Sequence, residues 1–235
     1  MSGIYGVASK EDCTELLFYG TDYHSHLGTA YGGLAVLGDI FVRQIHDLSQ
    51  GQFKSKFYED FRHMKGNKGI GVISDCDEQP IYINSKFGPF CIVTNGLIEN
   101  SEELAHKLLQ KGISFSEVSK GKINMTELVA KLITQGDDLI GGIEKMFSVI
   151  DGSCSLLLLN EEGIYAARDR YGYTPLIIGH RDKAYAVTSE SSAFPNADFE
   201  IIKYLEPGEI TLINENGVVQ KRAGKPVTQI CAFLW

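Results

Sequence analysis

The chain begins Met1-Ser2-Gly3-Ile4-Tyr5-Gly6-Val7-Ala8, and this opening constrains the fold more than any other segment. Small and apolar residues from Gly3 to Ala8 follow one another as they do in a strand. Chain ends are commonly frayed, so a strand pattern at the extreme N-terminus means that this end is tied into a sheet. Residue 2 then sits where a terminal nucleophile would sit, directly before a buried strand.

At 235 residues the chain is long enough to bury a sizeable core. It has no internal repeat and no low-complexity linker, so residues 1–235 read as a single domain. A net charge of −8 and a pI near 5.3 argue against a nucleic-acid partner. No run of about 18 apolar residues marks a membrane span, and no basic stretch leading into an apolar core marks a signal peptide. Cys13, Cys76, Cys91, Cys154 and Cys231 are scattered, odd in number and without a C-x-x-C spacing. Such a set fits a reducing cytosol and a cytoplasmic protein rather than a disulfide framework. No Walker A or dinucleotide fingerprint occurs, and no cofactor is expected.

The periodicity predicts strands at both ends of the sequence and helices in the middle. Asp12 is placed to cap a helix through about His24, with Leu16, Leu17 and Tyr19 among its inward residues. Gly38-Asp39 between two apolar runs is a hairpin signal. Phe53 to His63 reads as a helix; Gly69 to Ile73, Ile81 to Ile83 and Phe90 to Val93 read as strands. Asn100 caps a helix carrying Leu104, Leu108 and Leu109, and Asn124 with Glu127 forms a capping box for the next, through Ile133. Leu139, Ile143, Met146 and Ile150 repeat at helical spacing. Cys154 to Leu159, Ile164 to Ala167, Pro175 to Ile178, Tyr185 to Thr188 and Ile210 to Ile213 then return to strand. The pattern suits two sheets packed face to face with helices outside.

Six segments carry a resemblance to a known family. They are His26-Leu27-Gly28-Thr29 with Gly33-Leu34-Ala35, Thr94-Asn95-Gly96 through Asn100, Asp151-Gly152-Ser153-Cys154-Ser155, Arg168-Asp169 through Gly172 and Pro175-Leu176, Thr188-Ser189-Glu190-Ser191, and Leu205 to Ile210. In this order and spacing the chain resembles the class II glutamine amidotransferase domain, most of all the glutaminase half of the amidophosphoribosyltransferases of purine synthesis. The resemblance implies an α+β fold, the four-layer αββα sandwich of the N-terminal nucleophile hydrolases.

It also implies a site. The family's nucleophile is an N-terminal cysteine whose own α-amine is the base; with a free pKa of about 7.7–8.0 that amine suits neutral pH. Here Ser2 holds the nucleophile position, a hydroxyl where a thiol would give a better start, and Met1 makes its nitrogen an amide until removed. Asn95 and Gly96 hold the oxyanion-hole positions, although a bare Asn-Gly also reads as a hairpin turn. Thr94 stands where the family has histidine, and Leu27 where it has arginine. The arginine that grips the glutamine carboxylate corresponds to Ser74, followed by Asp75; the aspartate that grips its amino group corresponds to Met125. Losing one partner of a buried charged contact costs about 2–5 kcal/mol. The expectation is therefore a domain whose glutaminase activity is lost or strongly reduced, with a structural or regulatory role. Two other readings stand beside it: a serine amidohydrolase acting on a different amide, and a ligand-sensing or partner-binding module.

Other constellations lead less far. Arg168 and Asp169 read as an ion pair or loop anchor. His24-x-His26 lacks a nearby carboxylate and reads as a helix end, so no metal site is expected. Gly136-Asp137-Asp138 reads as a turn. In the family, the segment around Cys231 leads into a phosphoribosyltransferase domain, and in one branch a cysteine there ligates an iron–sulfur cluster; one thiolate cannot hold a cluster, so Cys231 reads as a small buried residue. That partner domain is expected to lie outside this chain, as a separate domain or subunit, and a homo-oligomer is a further expectation.

Overall fold

The structure, a computed structural model, describes residues 2–119 and 121–225. Met1 and Cys231 lie outside the described residues. In chain order the elements are β1 (Gly3–Ser9), α1 (Thr14–Asp22), β2 (Tyr31–Leu37), β3 (Phe41–Asp47), α2 (Phe53–His63), β4 (Lys68–Ser74), β5 (Ile81–Ser85), β6 (Gly88–Ile98), α3 (Ser101–Gln110), β7 (Val118–Ser119), β8 (Lys122–Ile123), α4 (Met125–Ile133), α5 (Leu139–Val149), β9 (Gly152–Asn160), β10 (Gly163–Ala167), β11 (Ile177–Arg181), β12 (Ala184–Thr188), β13 (Glu200–Tyr204), β14 (Ile210–Asn214) and β15 (Gly217–Arg222). Among the described residues no helix is long and apolar enough to cross a membrane.

Two antiparallel sheets dominate. The first has seven strands in the order β13-β11-β12-β1-β4-β2-β3; the second has six, β15-β14-β10-β9-β6-β5. β1 is thus a central strand, paired with β12 on one side and β4 on the other. Its period-2 pattern sorts its side chains. Tyr5 and Val7 face α1 and α2, among Leu17, Phe18, Phe53 and Phe57. Ile4 and Ala8 face the second sheet, among Val93, Leu157 and Ile164. Each fully buried large side chain of this kind contributes about 1.5–3 kcal/mol. The leucine run of β9 obeys the same rule. Leu157 and Leu159 enter the layer between the sheets, whereas Leu156 and Leu158 enter the layer under α3, α4 and α5. A strand buried on both faces needs no polar alternation. The result is the expected αββα four-layer sandwich.

Several local expectations change in detail. Tyr19 and Leu109, expected inward, are about half exposed; each lies off its helix's buried stripe. Asn100 precedes α3 but makes no side-chain cap. Its amide instead donates to the Val149 carbonyl and accepts from the Asp151 N–H, tying the end of α5 to the entry of β9. The capping box at α4 is half formed: Asn124 Oδ1 accepts from the Glu127 N–H. The Glu127 carboxylate turns to the Ser116 and Glu117 amides instead. Asp138 of the expected turn caps α5 through the Gly141 N–H.

His24 and His26 part company. His26 is exposed and pairs with Glu190 at 2.9 Å. His24 is buried just beyond α1 and holds the first strand in place. Its Nδ1–H donates to the Gly20 carbonyl, and its Nε2 lies 2.9 Å from Thr188 Oγ1 on β12. Only glycine fits beneath it, since a Cβ on Gly3 would lie 2.4 Å from His24 Cβ. Burial lowers the His24 pKa below the ordinary histidine value. As pH falls, the unfolded chain therefore takes up this proton before the folded chain does. The stabilisation is complete above about pH 6.5 and is lost as pH falls through that value towards the folded pKa. His24→Gln is expected to cost about 1–3 kcal/mol at neutral pH. It should also flatten the loss of stability between about pH 7.5 and 5.5. Urea titrations at the two pH values check this, and an undiminished pH difference in the variant would rule His24 out as the titrating group.

Candidate functional site

The layer between the sheets is apolar along its length and turns polar at one end. Each strand does this by continuing its own inward register. β4 presents Ile70 and Val72 inward, and two residues on comes Ser74. β6 presents Cys91 and Val93 inward, and two residues on comes Asn95. β9 presents Leu159 and Leu157 inward, and Ser155 follows in the same register, opposite Asn95. The same interval from Ile4 towards the N-terminus of β1 gives Ser2. Because Gly3 pairs with Ile73, Ser2 and Ser74 arrive side by side.

Their contacts are direct. Ser2 Oγ donates to Ser74 Oγ at 3.3 Å, and the Ser2 N–H donates to Asn95 Oδ1 at 3.2 Å. Ser2 is 6% exposed and Ser74 fully buried. The structure therefore brings together Ser2, Ser74 and Asn95, three of the positions singled out in the sequence. Asn95 and Gly96 are not a hairpin turn, because β6 runs straight through them to Ile98. Gly96 is fixed by close approach: a Cβ there would lie 2.0 Å from the Ser153 carbonyl oxygen on β9. Leu27 is half-buried in the turn after α1, its N–H donating to the His24 carbonyl. The following Gly28 packs on the Ser74 backbone, within 3.0 Å of where its Cβ would be.

Thr94 and Met125 lie elsewhere. Thr94 has the opposite register to Asn95, so it faces the helices, where Thr94 Oγ1 meets Thr126 Oγ1 of α4 at 2.7 Å. The Met125 side chain lines a groove of about 390 Å³ with Ala105, His106, Lys122 and Leu128. Its backbone is linked to Ser74 through an intermediary. The Asp77 N–H donates to Ser74 Oγ, and Asp77 Oδ2 accepts from the Met125 N–H at 2.9 Å.

That intermediary belongs to a segment of which the sequence singles out only Ser74 and Asp75. Between β4 and β5, residues 74–80 form a polar turn. Ser74 Oγ accepts from the Cys76 and Asp77 amides, Asp75 Oδ1 from the Thr29 N–H at 2.7 Å, and Gln79 Oε1 from the Thr94 N–H at 2.7 Å. Asn124 Nδ2 donates to the Glu78 carbonyl, and Arg43 to the Pro80 carbonyl. The run Asp75-Cys76-Asp77-Glu78-Gln79-Pro80 carries turn chemistry in its composition; what it touches is not readable there. The side chains of residues 74–80 thus include three carboxylates and no cation.

Behind Asn95, Asp169 anchors a loop. Fully buried, it accepts from the Tyr171, Tyr173 and Thr174 amides, and its own N–H donates to Ser155 Oγ. Arg168 donates to the Leu205 and Gly172 carbonyls. Of the two readings of this pair, the loop anchor describes its hydrogen bonds.

Comparison with known proteins agrees with this fold. A family described as the glutamine amidotransferase domain matches residues 68–196, more than half of the chain. The amidophosphoribosyltransferase of Methanocaldococcus jannaschii is 28% identical over 97% of this chain and 50% of its own length. That of Mycobacterium tuberculosis H37Rv is 27% identical over 98% of this chain and 46% of its own length. Among solved structures, the glutamine phosphoribosylpyrophosphate amidotransferase of Bacillus subtilis, complexed with ADP and GMP, superposes with a TM-score of 0.83. It is 26% identical, over 94% of this chain and 49% of that one. The chain thus spans about half the length of the relatives it matches. On its sandwich architecture, its matched segment and these relatives together, the chain belongs to the glutamine amidotransferase domain family, as a class II domain resembling that of the amidophosphoribosyltransferases.

Proposed function

We propose that this domain has lost most or all glutaminase activity and serves as a structural or regulatory unit beside a phosphoribosyltransferase domain, in the same or another chain, in a purine-biosynthetic setting. Residues 1–235 act in this reading as one domain. The observation that carries it is Ser74. Where a glutamine carboxylate would need a cation stands a buried hydroxyl, already occupied by Ser2 and by the amides of Cys76 and Asp77. The neighbouring Asp75 and Asp77 would repel that carboxylate. Met125, which the resemblance sets at the amino-group clamp, carries no charge and packs against the helix-side core. Two lost contacts of about 2–5 kcal/mol each lower transition-state binding by about a thousandfold or more.

Protein whose N-terminus has been trimmed to Ser2 is expected to release ammonia from glutamine at least about a thousandfold more slowly than the roughly 1–1000 per second of working enzymes. The combined Ser2→Cys and Ser74→Arg variant is expected to gain activity. Ammonia release at about 1 per second from the trimmed wild-type protein would overturn the proposal.

One observation favours a second reading, a serine amidohydrolase on an uncharged amide: Ser2 contacts the neutral side chains of Ser74 and Asn95 directly, through its hydroxyl and its N–H. A hydroxyl nucleophile needs an adjacent base, here the α-amine of residue 2. Intact-mass measurement on protein from its native host decides it. Retained Met1 leaves an amide in place of that base and ends this reading; loss of Met1 keeps it open to amide-hydrolysis screening.

A further inference from the structure

We propose that residues 226–235 add to β13 as a further strand and close the open edge of the seven-stranded sheet. This segment lies outside the described residues, but the edge it covers and the chain leading to it are both described. The inference holds whether or not the domain turns over glutamine.

β13 is an edge strand without a guard. Among the described residues it pairs only with β11, which leaves its other side open. Ile201, Ile202 and Tyr204 are each about half exposed. Exposed edges are ordinarily blunted by charge, lysine above all. β15 follows that rule with Gln220, Lys221 and Arg222, and β3 with Arg43, Gln44 and His46. The lysine of β13 does not serve in this way, because Lys203 Nζ turns to the buried carboxylate of Glu209. What is left along the open side is largely apolar.

The chain arrives beside that edge. β13 and β15 both run towards the turn closed by the Glu209 N–H and the Glu206 carbonyl. Past β15, the Lys225 N–H donates to the Pro207 carbonyl. Gly224 packs under the same turn, where a Cβ would lie 2.4 Å from Glu206 Cβ. Pro226 follows. Glycine and proline are turn residues, and a reversal here sets the next residues antiparallel to β13. Ten residues in strand conformation span about 33 Å, about twice the length of β13. None of residues 226–235 is charged, and Val227, Thr228, Ile230, Phe233 and Trp235 favour strand. The far half of the segment reaches a cavity of about 510 Å³ at the other end of β13, where Leu16, Tyr19, Arg181, Ala197 and Asp198 are among the lining residues. Arg181 and Tyr19 there suit contact with an indole ring.

Trp235 is the one tryptophan of residues 1–235, so its fluorescence reports the segment directly. In the folded protein its quenching by acrylamide is expected to be at least about fivefold slower than in urea. Ile202→Asp combined with Tyr204→Ser changes two exposed side chains, so the fold is expected to be kept. In this variant quenching should rise to the urea value while the far-ultraviolet circular dichroism stays the same. Quenching of Trp235 at the urea rate in the parent overturns the proposal. So does shielding that the folded variant retains, since the segment then packs elsewhere.

Should the variant not fold, amide exchange in the parent decides. The Leu205 N–H donates to the Leu176 carbonyl, on the β11 side, so the Tyr204 N–H before it points to the open side. That amide is expected to be protected at least about a hundredfold, and exchange at the free-peptide rate overturns the proposal. Protection or shielding that grows with protein concentration assigns the edge to a second copy of the chain and overturns it equally.

Discussion

Burying β1 in the middle of the seven-stranded sheet is the constraint on which the other features depend. A central strand must be paired on both edges and covered on both faces, so its alternation is committed before any side chain acts. Ile4 and Ala8 must meet the second sheet, and Tyr5 and Val7 must meet the helices. Residue 2 is then delivered to the mouth of the layer between the sheets. Gly3 has no freedom because His24 lies on it, and His24 has none because it bridges α1 to β12. The position of Ser2 is thus set by packing along the whole of β1, not by the few polar contacts that Ser2 makes.

The polar end of that layer follows from the same alternation. Four strands change from aliphatic to Ser or Asn at their inward positions at one end of the sandwich. Buried polar groups are costly unless paired, and here they pair with one another: Ser2 with Ser74 and Asn95, and Ser155 with the Asp169 backbone. A site that satisfies itself in this way lacks the uncompensated charge that makes a pocket grip an ionic ligand. The turn between β4 and β5 extends the same logic outwards, with the carboxylate of Asp77 and the amide of Gln79 each spent on the protein's own backbone.

Much of the architecture is legible in the sequence because it is periodic. The leucine run of β9, the amphipathic α5 and the hairpin at Gly38-Asp39 are local patterns, and each forms the element expected. β13 and β15 give no such signal. Glu200-Ile201-Ile202-Lys203-Tyr204 and Gly217 to Arg222 are edge strands, largely exposed, and an edge strand need not alternate because one face or one edge meets water. Asn100 misleads for a related reason: it has a capping residue's identity, but tertiary groups at Val149 and Asp151 compete for its amide more successfully than the helix does. Asn95 stands out through the resemblance, while its register opposite Ser155 is visible only in the sheet. The tethers of Asp77 and Gln79 join residues far apart in sequence, and no local pattern encodes them.

The family motifs that persist in this chain are those that the fold itself uses. Asp169 is the hub of a loop, Arg168 ties that loop to the segment before β14, and Gly96 lets β6 lie against β9. Replacing any of them would strand buried amides or drive a methyl group into a carbonyl, so each is held by stability whatever the chemistry of the site. Residues 27, 74 and 125 are different. Leucine, serine and methionine are accommodated there without an unpaired charge, and Ser74 gains three partners, one from Ser2 and two from the turn that follows it. Selection for folding alone would therefore keep the first group and release the second. The kept motifs are evidence for the sandwich, and they carry little weight on whether it still turns over glutamine; that question rests on the few positions where fold and catalysis make different demands.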